Sequence, residues 1–99
     1  MIEKDLSPAG KSMRVHFSLP AEAAEESVSI VGDFNDWDPE ADQMELQPLN
    51  GIWKKRISFT PGTEVQFKYW VDGAEWRNDE EADDYVANEH GTENCVLHL

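Results

Sequence analysis

Ninety-nine residues with 39% apolar content, six glycines, five prolines and no long apolar run suit one compact domain, and exclude a low-complexity chain or a membrane-spanning helix. Twenty-one Asp and Glu against eight Lys and Arg leave a formal charge of −13, which repels nucleic-acid phosphates and anionic lipid surfaces. Neither nucleic acid nor a membrane is therefore an expected partner.

Residues 1–12 are polar, broken by Pro8 and Gly10 and without apolar period, so they read as a flexible leader; the domain proper is expected over 13–99. Met13, Val15, Phe17 and Leu19 alternate with Arg14, His16 and Ser18, the period of two of a half-buried strand, which Pro20 ends. Ala21 to Glu26 is too short and too rich in Glu for a helix of its own and reads as a polar connection. Ser27 to Val31 is β-branched and stops at Gly32, where the turn-forming stretch Asp33-Phe34-Asn35-Asp36-Trp37-Asp38-Pro39 begins. Met44, Leu46 and Leu49, then Asn50-Gly51, then Ile52 to Thr60 predict a hairpin whose second arm carries Trp53, Lys55, Ile57 and Phe59 on one face. Pro61-Gly62 turns the chain into a strand over Glu64 to Val71, with Val65, Phe67, Tyr69 and Val71 inward and Gln66, Lys68 and Trp70 opposite. After the Asp72-Gly73 turn, the acid-rich segment Asn78 to Asn88 lacks a sustained period and reads as an irregular loop tied down at Tyr85; Glu93 to Leu99 is a last strand. About six short strands, with turn signals at about eight- to twelve-residue spacing and no convincing helix, predict an all-β fold, an antiparallel β-sandwich of immunoglobulin-like size.

Cys95 has no second cysteine to pair with, and His16, His90 and His98 lack the spacing of a metal cage, so no cofactor is expected and a reducing cytoplasm is the expected location. Charges at Glu3, Lys4 and Asp5 interrupt the stretch that a signal peptide keeps apolar. The many carboxylates do not amount to a glycosidase: that chemistry needs two acids fixed across a cleft roughly 5 to 9.5 Å apart, which flat sheets and short loops do not supply. With no nucleophile motif and no phosphate loop, the chain reads as non-enzymatic.

Four tryptophans make the aromatic residues the informative ones. Trp53, in a strand, is expected in the core. Trp37 lies among Asp36, Asp38 and Pro39, and Trp76 between Glu75 and Arg77, both read as loop residues. Such rings either fold back over the core or stand out as apolar platforms. A neutral sugar matches a platform, because one face of a glucose ring is apolar and its rim carries hydroxyls. Stacking such a face on an indole buries on the order of 100 Å², roughly 2 kcal/mol before association entropy, so two platforms are needed. Lys68 is either a solvated surface charge or a donor over that site, and Trp70 on the same face either extends the aromatic surface or covers the sheet. Phe34 is expected to anchor its loop inward and so hold Trp37 outward.

Gly32-Asp33-Phe34-Asn35-Asp36-Trp37, Gly51-Ile52-Trp53, Phe67-Lys68-Tyr69-Trp70-Val71-Asp72-Gly73 and Asn94 together resemble carbohydrate-binding module family 48, over about Met13 to Leu99. That family includes the glycogen-binding domain of the AMP-activated protein kinase β subunit and the N-terminal domains of isoamylases and glycogen branching enzymes. The resemblance implies an early-set β-sandwich that binds α-1,4-linked glucans without catalysis. It implies that Trp37 and Trp76 stack on sugar rings, that Lys68 and Asn94 hydrogen-bond the hydroxyls, and that Thr92 and His90 stand beside them. Three departures from the kinase domain bear on this site: one extra residue between Gly73 and Trp76, which would displace the indole; His90 in place of a leucine; and Cys95 in place of a second asparagine, the last two reducing contact. The expected partners are an α-glucan and, beyond it, a partner enzyme or kinase subunit, with the domain itself a monomer. The competing reading is an acidic protein-interaction or regulatory sandwich that has lost the sugar and docks a basic partner.

Overall fold

Wherever apolar and polar residues alternate over seven or eight positions, the chain forms a strand with one buried face. The computed structural model describes all 99 residues and holds nine strands and no α-helix: β1 (Ile2–Leu6), β2 (Met13–Leu19), β3 (Val28–Gly32), β4 (Glu45–Leu46), β5 (Trp53–Phe59), β6 (Glu64–Val71), β7 (Glu75–Arg77), β8 (Asp84–Ala87) and β9 (Glu93–His98). They pair antiparallel into two sheets, one in the order β1-β2-β5-β4 and the other β3-β6-β9-β8, with β7 added to β6. The fold is an all-β, immunoglobulin-like antiparallel sandwich of early-set type.

The inward faces of both sheets meet in one core. Val15 and Phe17 of β2 and Trp53 of β5 face Val28 and Ile30 of β3, Val65, Phe67, Tyr69 and Val71 of β6, and Cys95 and Leu97 of β9. Phe67 sits at the centre, edge-on to Phe17 at 5.3 Å and to Tyr69 at 5.5 Å between ring centroids, the offset that aromatic quadrupoles favour. Trp53 is buried as expected, whereas Leu49 is fully exposed and adds nothing to the core.

Three expectations need correction. Residues 2–6 are not loose: they form β1, an edge strand in register with β2 from Ile2 opposite Phe17 to Leu6 opposite Met13, where backbone pairing substitutes for the missing apolar pattern. Trp76 is not in a loop but in β7, opposite Trp70. Part of the segment read as an irregular loop is β8, paired to β9 from Asp84 opposite Val96 to Ala87 opposite Glu93. Tyr85 does tie that segment down, its hydroxyl donating to the Asp79 carbonyl at 2.5 Å. Asp79 is the buried knot: its carboxylate accepts from the Tyr69 hydroxyl at 2.7 Å, and its N–H donates to Cys95 Sγ at 3.2 Å. Burial, followed by the Asp79 carboxylate, pushes the Tyr69 phenol well above its usual range.

No helix of the protein is long and apolar enough to cross a membrane.

Candidate functional site

The strand registers set which side chains share the outer face of the second sheet. β6 is central, carrying Gln66, Lys68 and Trp70 outward, and its neighbours place Val96 opposite Gln66 and Trp76 opposite Trp70. β8 places Val86 opposite Asn94, on that same face. Trp37 reaches it from the end of β3.

The loop after β3 is built to hold Trp37. Gly32 lies against the β6 backbone, with no room for a Cβ beside the Gln66 carbonyl and the Phe34 ring. Asp33 accepts the Gln66 N–H at 3.1 Å, and Asn35 accepts the Gly32 N–H at 3.0 Å while donating to the Ile30 carbonyl at 2.9 Å and to Asp42 at 2.8 Å. Phe34 turns inward, edge-on to Phe59 at 5.0 Å, as the loop needs for Trp37 to point out. Asp36 and Trp37 then both take left-handed backbone conformations, φ 56° and 57°, with the Trp37 N–H bonded to the Gly32 carbonyl at 2.9 Å. For a ring as large as indole that conformation costs of order 1–3 kcal/mol and persists because the loop over-determines it.

Trp76 is presented differently. Asp72 and Gly73 adopt φ 54° and 64°, and Ala74 N–H closes the turn on the Val71 carbonyl at 3.0 Å. With the extra residue, three residues join β6 to β7, and Trp76 lines the groove. It leans on Trp70, with centroids 4.5 Å apart and planes at 48°. Trp70 is thus backing for Trp76, only partly exposed itself.

Between the two rings runs a groove of ≈ 840 Å³ lined by Trp37, Lys68, Trp76, His90, Thr92 and Asn94, together with Gln66, Ala87, Asn88 and Glu89. All six residues expected from the sequence therefore come together. Trp37 is 38% exposed and Trp76 51%, so neither ring is folded into the core. Lys68, by contrast, is 8% exposed and not a solvated surface charge. Its ammonium donates to the Glu93 carbonyl at 2.7 Å, which leaves two N–H groups without a protein acceptor. Asn94 donates to Gln66 Oε1 at 3.2 Å and accepts from Asn88 Nδ2 at 2.9 Å, and the same Asn88 amide donates to Thr92 Oγ1 at 2.8 Å. Asn88 Oδ1 in turn takes the N–H groups of His90, at 2.9 Å, and Thr92, at 3.2 Å, which fixes the β8–β9 turn.

Four lining residues lie outside the expected set, Gln66, Ala87, Asn88 and Glu89, and two of them make hydrogen bonds that shape the groove. Gln66 shares the Lys68 face by simple alternation, a signal that was present; Asn88 acts through the N–H groups of a turn, which no spacing announces. One departure loses its force. Cys95 lies in the inter-sheet core with no exposed surface, where burial raises its thiol, so an asparagine's absence there removes nothing from the groove. No group of three or more His, Cys, Asp or Glu side chains is arranged to hold a metal ion.

Residues 13–99 match the family described as the glycogen recognition site of AMP-activated protein kinase. The chain belongs to this glycogen-recognition family. Curated relatives are enzymes that carry a similar stretch. The 1,4-alpha-glucan branching enzyme GlgB of Nitrosococcus oceani is 46% identical over 44 residues, 43% of this chain and 6% of that enzyme. The GlgB of Thiobacillus denitrificans is 37% identical over 61 residues, 60% of this chain and 8% of that enzyme. The chain thus corresponds to a small part of the enzymes it resembles, and its place in the glycogen-recognition family rests on the match over residues 13–99.

Proposed function

We propose that this domain binds α-1,4-linked glucans without chemical conversion, stacking sugar rings on Trp37 and Trp76 and hydrogen-bonding their hydroxyls through Lys68 and Asn94, with Thr92 and His90 at the rim. The observation that supports the reading is the convergence of these six side chains on one groove. Its chemistry suits an uncharged ligand. Two half-exposed indoles offer apolar area, roughly 4 kcal/mol in all by area arithmetic before association entropy is subtracted. The amides and the ammonium are already oriented by their protein partners, so little side-chain freedom remains to be lost on binding. A carboxylate pair held in the groove for glycosidic cleavage is not part of this reading; the acid there, Glu89, lies in the exposed turn.

Titration with maltoheptaose, followed by calorimetry or tryptophan fluorescence, tests this. Wild type binds; Trp37→Ala and Trp76→Ala each weaken binding by tenfold or more, as loss of roughly 2 kcal/mol requires, with the fold retained. Binding indifferent to both substitutions would remove the proposed site. Silence in the wild type, with salt-sensitive capture of a basic protein, would favour an interaction domain that has lost the sugar.

A further inference from the structure

The groove does not end at the β8–β9 turn. Ala87, Asn88 and Thr92 line it and also line a second hollow of ≈ 630 Å³, which adds Asn78, Tyr85 and Glu93. We propose that this hollow is a second glucan subsite: the Tyr85 ring takes the apolar face of a further glucose unit and Asn78 its hydroxyls, so that a chain seated between Trp37 and Trp76 continues around the turn. The proposal rests on the reading of the groove given above.

Three observations carry it. Tyr85 is 37% exposed yet not free, because its hydroxyl is bonded to the Asp79 carbonyl at 2.5 Å; a ring held in place is a platform that loses little freedom on contact. Asn78 is exposed and oriented by its bond to the Glu93 carbonyl at 3.0 Å, while its Oδ1 and second N–H have no protein partner. That Glu93 carbonyl is also the acceptor for Lys68 at 2.7 Å, so one backbone group positions a donor in each hollow and fixes their relative geometry. A ring face flanked by an amide and a hydroxyl repeats, on a smaller scale, the chemistry of the groove. It fits a continuing stretch of the same neutral polymer better than a charged ligand.

Calorimetry with maltotetraose and maltoheptaose on wild type, Tyr85→Phe and Tyr85→Leu separates the possibilities. Both substitutions delete the hydroxyl bond to Asp79, but only leucine deletes the flat ring. Maltotetraose, the shorter chain, is expected to engage the groove alone and so to bind all three equally. Maltoheptaose binds wild type more tightly than maltotetraose does; Tyr85→Phe, which keeps the ring but loses its tether, retains most of that gain, and Tyr85→Leu loses roughly fivefold to tenfold of it. If Tyr85→Leu does not fold, Asn78→Ala at its exposed position gives the same selective loss. No gain with chain length in wild type, an equal gain in every variant, or the same loss in Tyr85→Phe overturns the second subsite and leaves the groove standing. Failure of both sugars to bind wild type overturns the groove reading itself, and this one with it.

Discussion

Gly32 is a glycine for steric reasons. Its backbone is extended, open to any residue, but a Cβ would press into the Gln66 carbonyl and the Phe34 ring. Gly32→Ala is expected to cost about 2 kcal/mol, read as a lower denaturation midpoint, and to weaken glucan binding by shifting the loop that holds Trp37. A variant as stable as wild type would mean that both the Phe34 ring and the β6 backbone at Gln66 give way easily. Trp70 illustrates a different kind of support. It borders the groove only through Trp76, against which it leans with ring centroids 4.5 Å apart and planes at 48°. Trp70→Leu should lower maltoheptaose affinity by roughly threefold to tenfold with the fold intact, and Trp70→Phe should restore most of it, since what Trp76 needs is a flat neighbour. Equal losses in both variants would show that the indole is needed for some other contact. At this scale the sequence was most legible where residue type and setting disagree. Trp37 and Trp76 stand out as large apolar groups among charges, and Lys68 as a cation in an acidic chain. Trp70 stands out only as a ring on the Lys68 face, since its part as backing depends on pairing with β7, and Asn88 does not stand out, because it acts largely through the backbone N–H groups of a turn.

Strands were legible in proportion to how differently their two faces are solvated. β2 and β6 are each buried on one face, and the alternation of Val15 and Phe17, or of Val65, Phe67, Tyr69 and Val71, gives the bounds of both. β7 and β8 are exposed along their whole length, and β1 nearly so, hence no alternation marks them; they exist because β6, β9 and β2 offer unpaired backbone edges. The turn between β6 and β7 also does more than reverse the chain. The Asp72 carboxylate accepts N–H groups from Glu26 at 2.7 Å and from Glu25 and Ser27 at 3.0 Å, tying the approach to β3 onto the turn that aims Trp76. Those backbone donors, Glu26 first, hold its carboxyl below the usual carboxylate range. A depressed folded-state value means that the tie is fully present above the ordinary carboxylate range and is lost as pH falls through the depressed one. Asp72→Asn should therefore melt lower than wild type near neutral pH, with the difference shrinking as the solution is acidified below about pH 4. A difference that stays constant with pH would assign the effect to the turn conformation, φ 54°, rather than to the charge.

The two sheets give the molecule two unlike outer faces. One holds the groove, lined by aromatic rings and amides. The other brings Arg14 and His16 of β2 beside Lys54 and Arg56 of β5, with the acids Glu3, Asp5 and Glu45 on the flanking strands. Charge is thus heavy overall, at −13, but takes little part in the groove, whose buried cation is already bonded to a backbone carbonyl. This separates two salt responses. Self-repulsion among the acids weakens as the Debye length shrinks from about 10 Å at 0.1 M to about 3 Å at 1 M salt, so the melting temperature should rise over that range. Maltoheptaose carries no charge, and its affinity should stay within about twofold over the same range, because stacking and neutral hydrogen bonds are not screened. A fall of tenfold or more in glucan affinity with salt would mean that an ionic contact contributes to the site, and would point to Lys68, whose ammonium would then be the group to replace with glutamine.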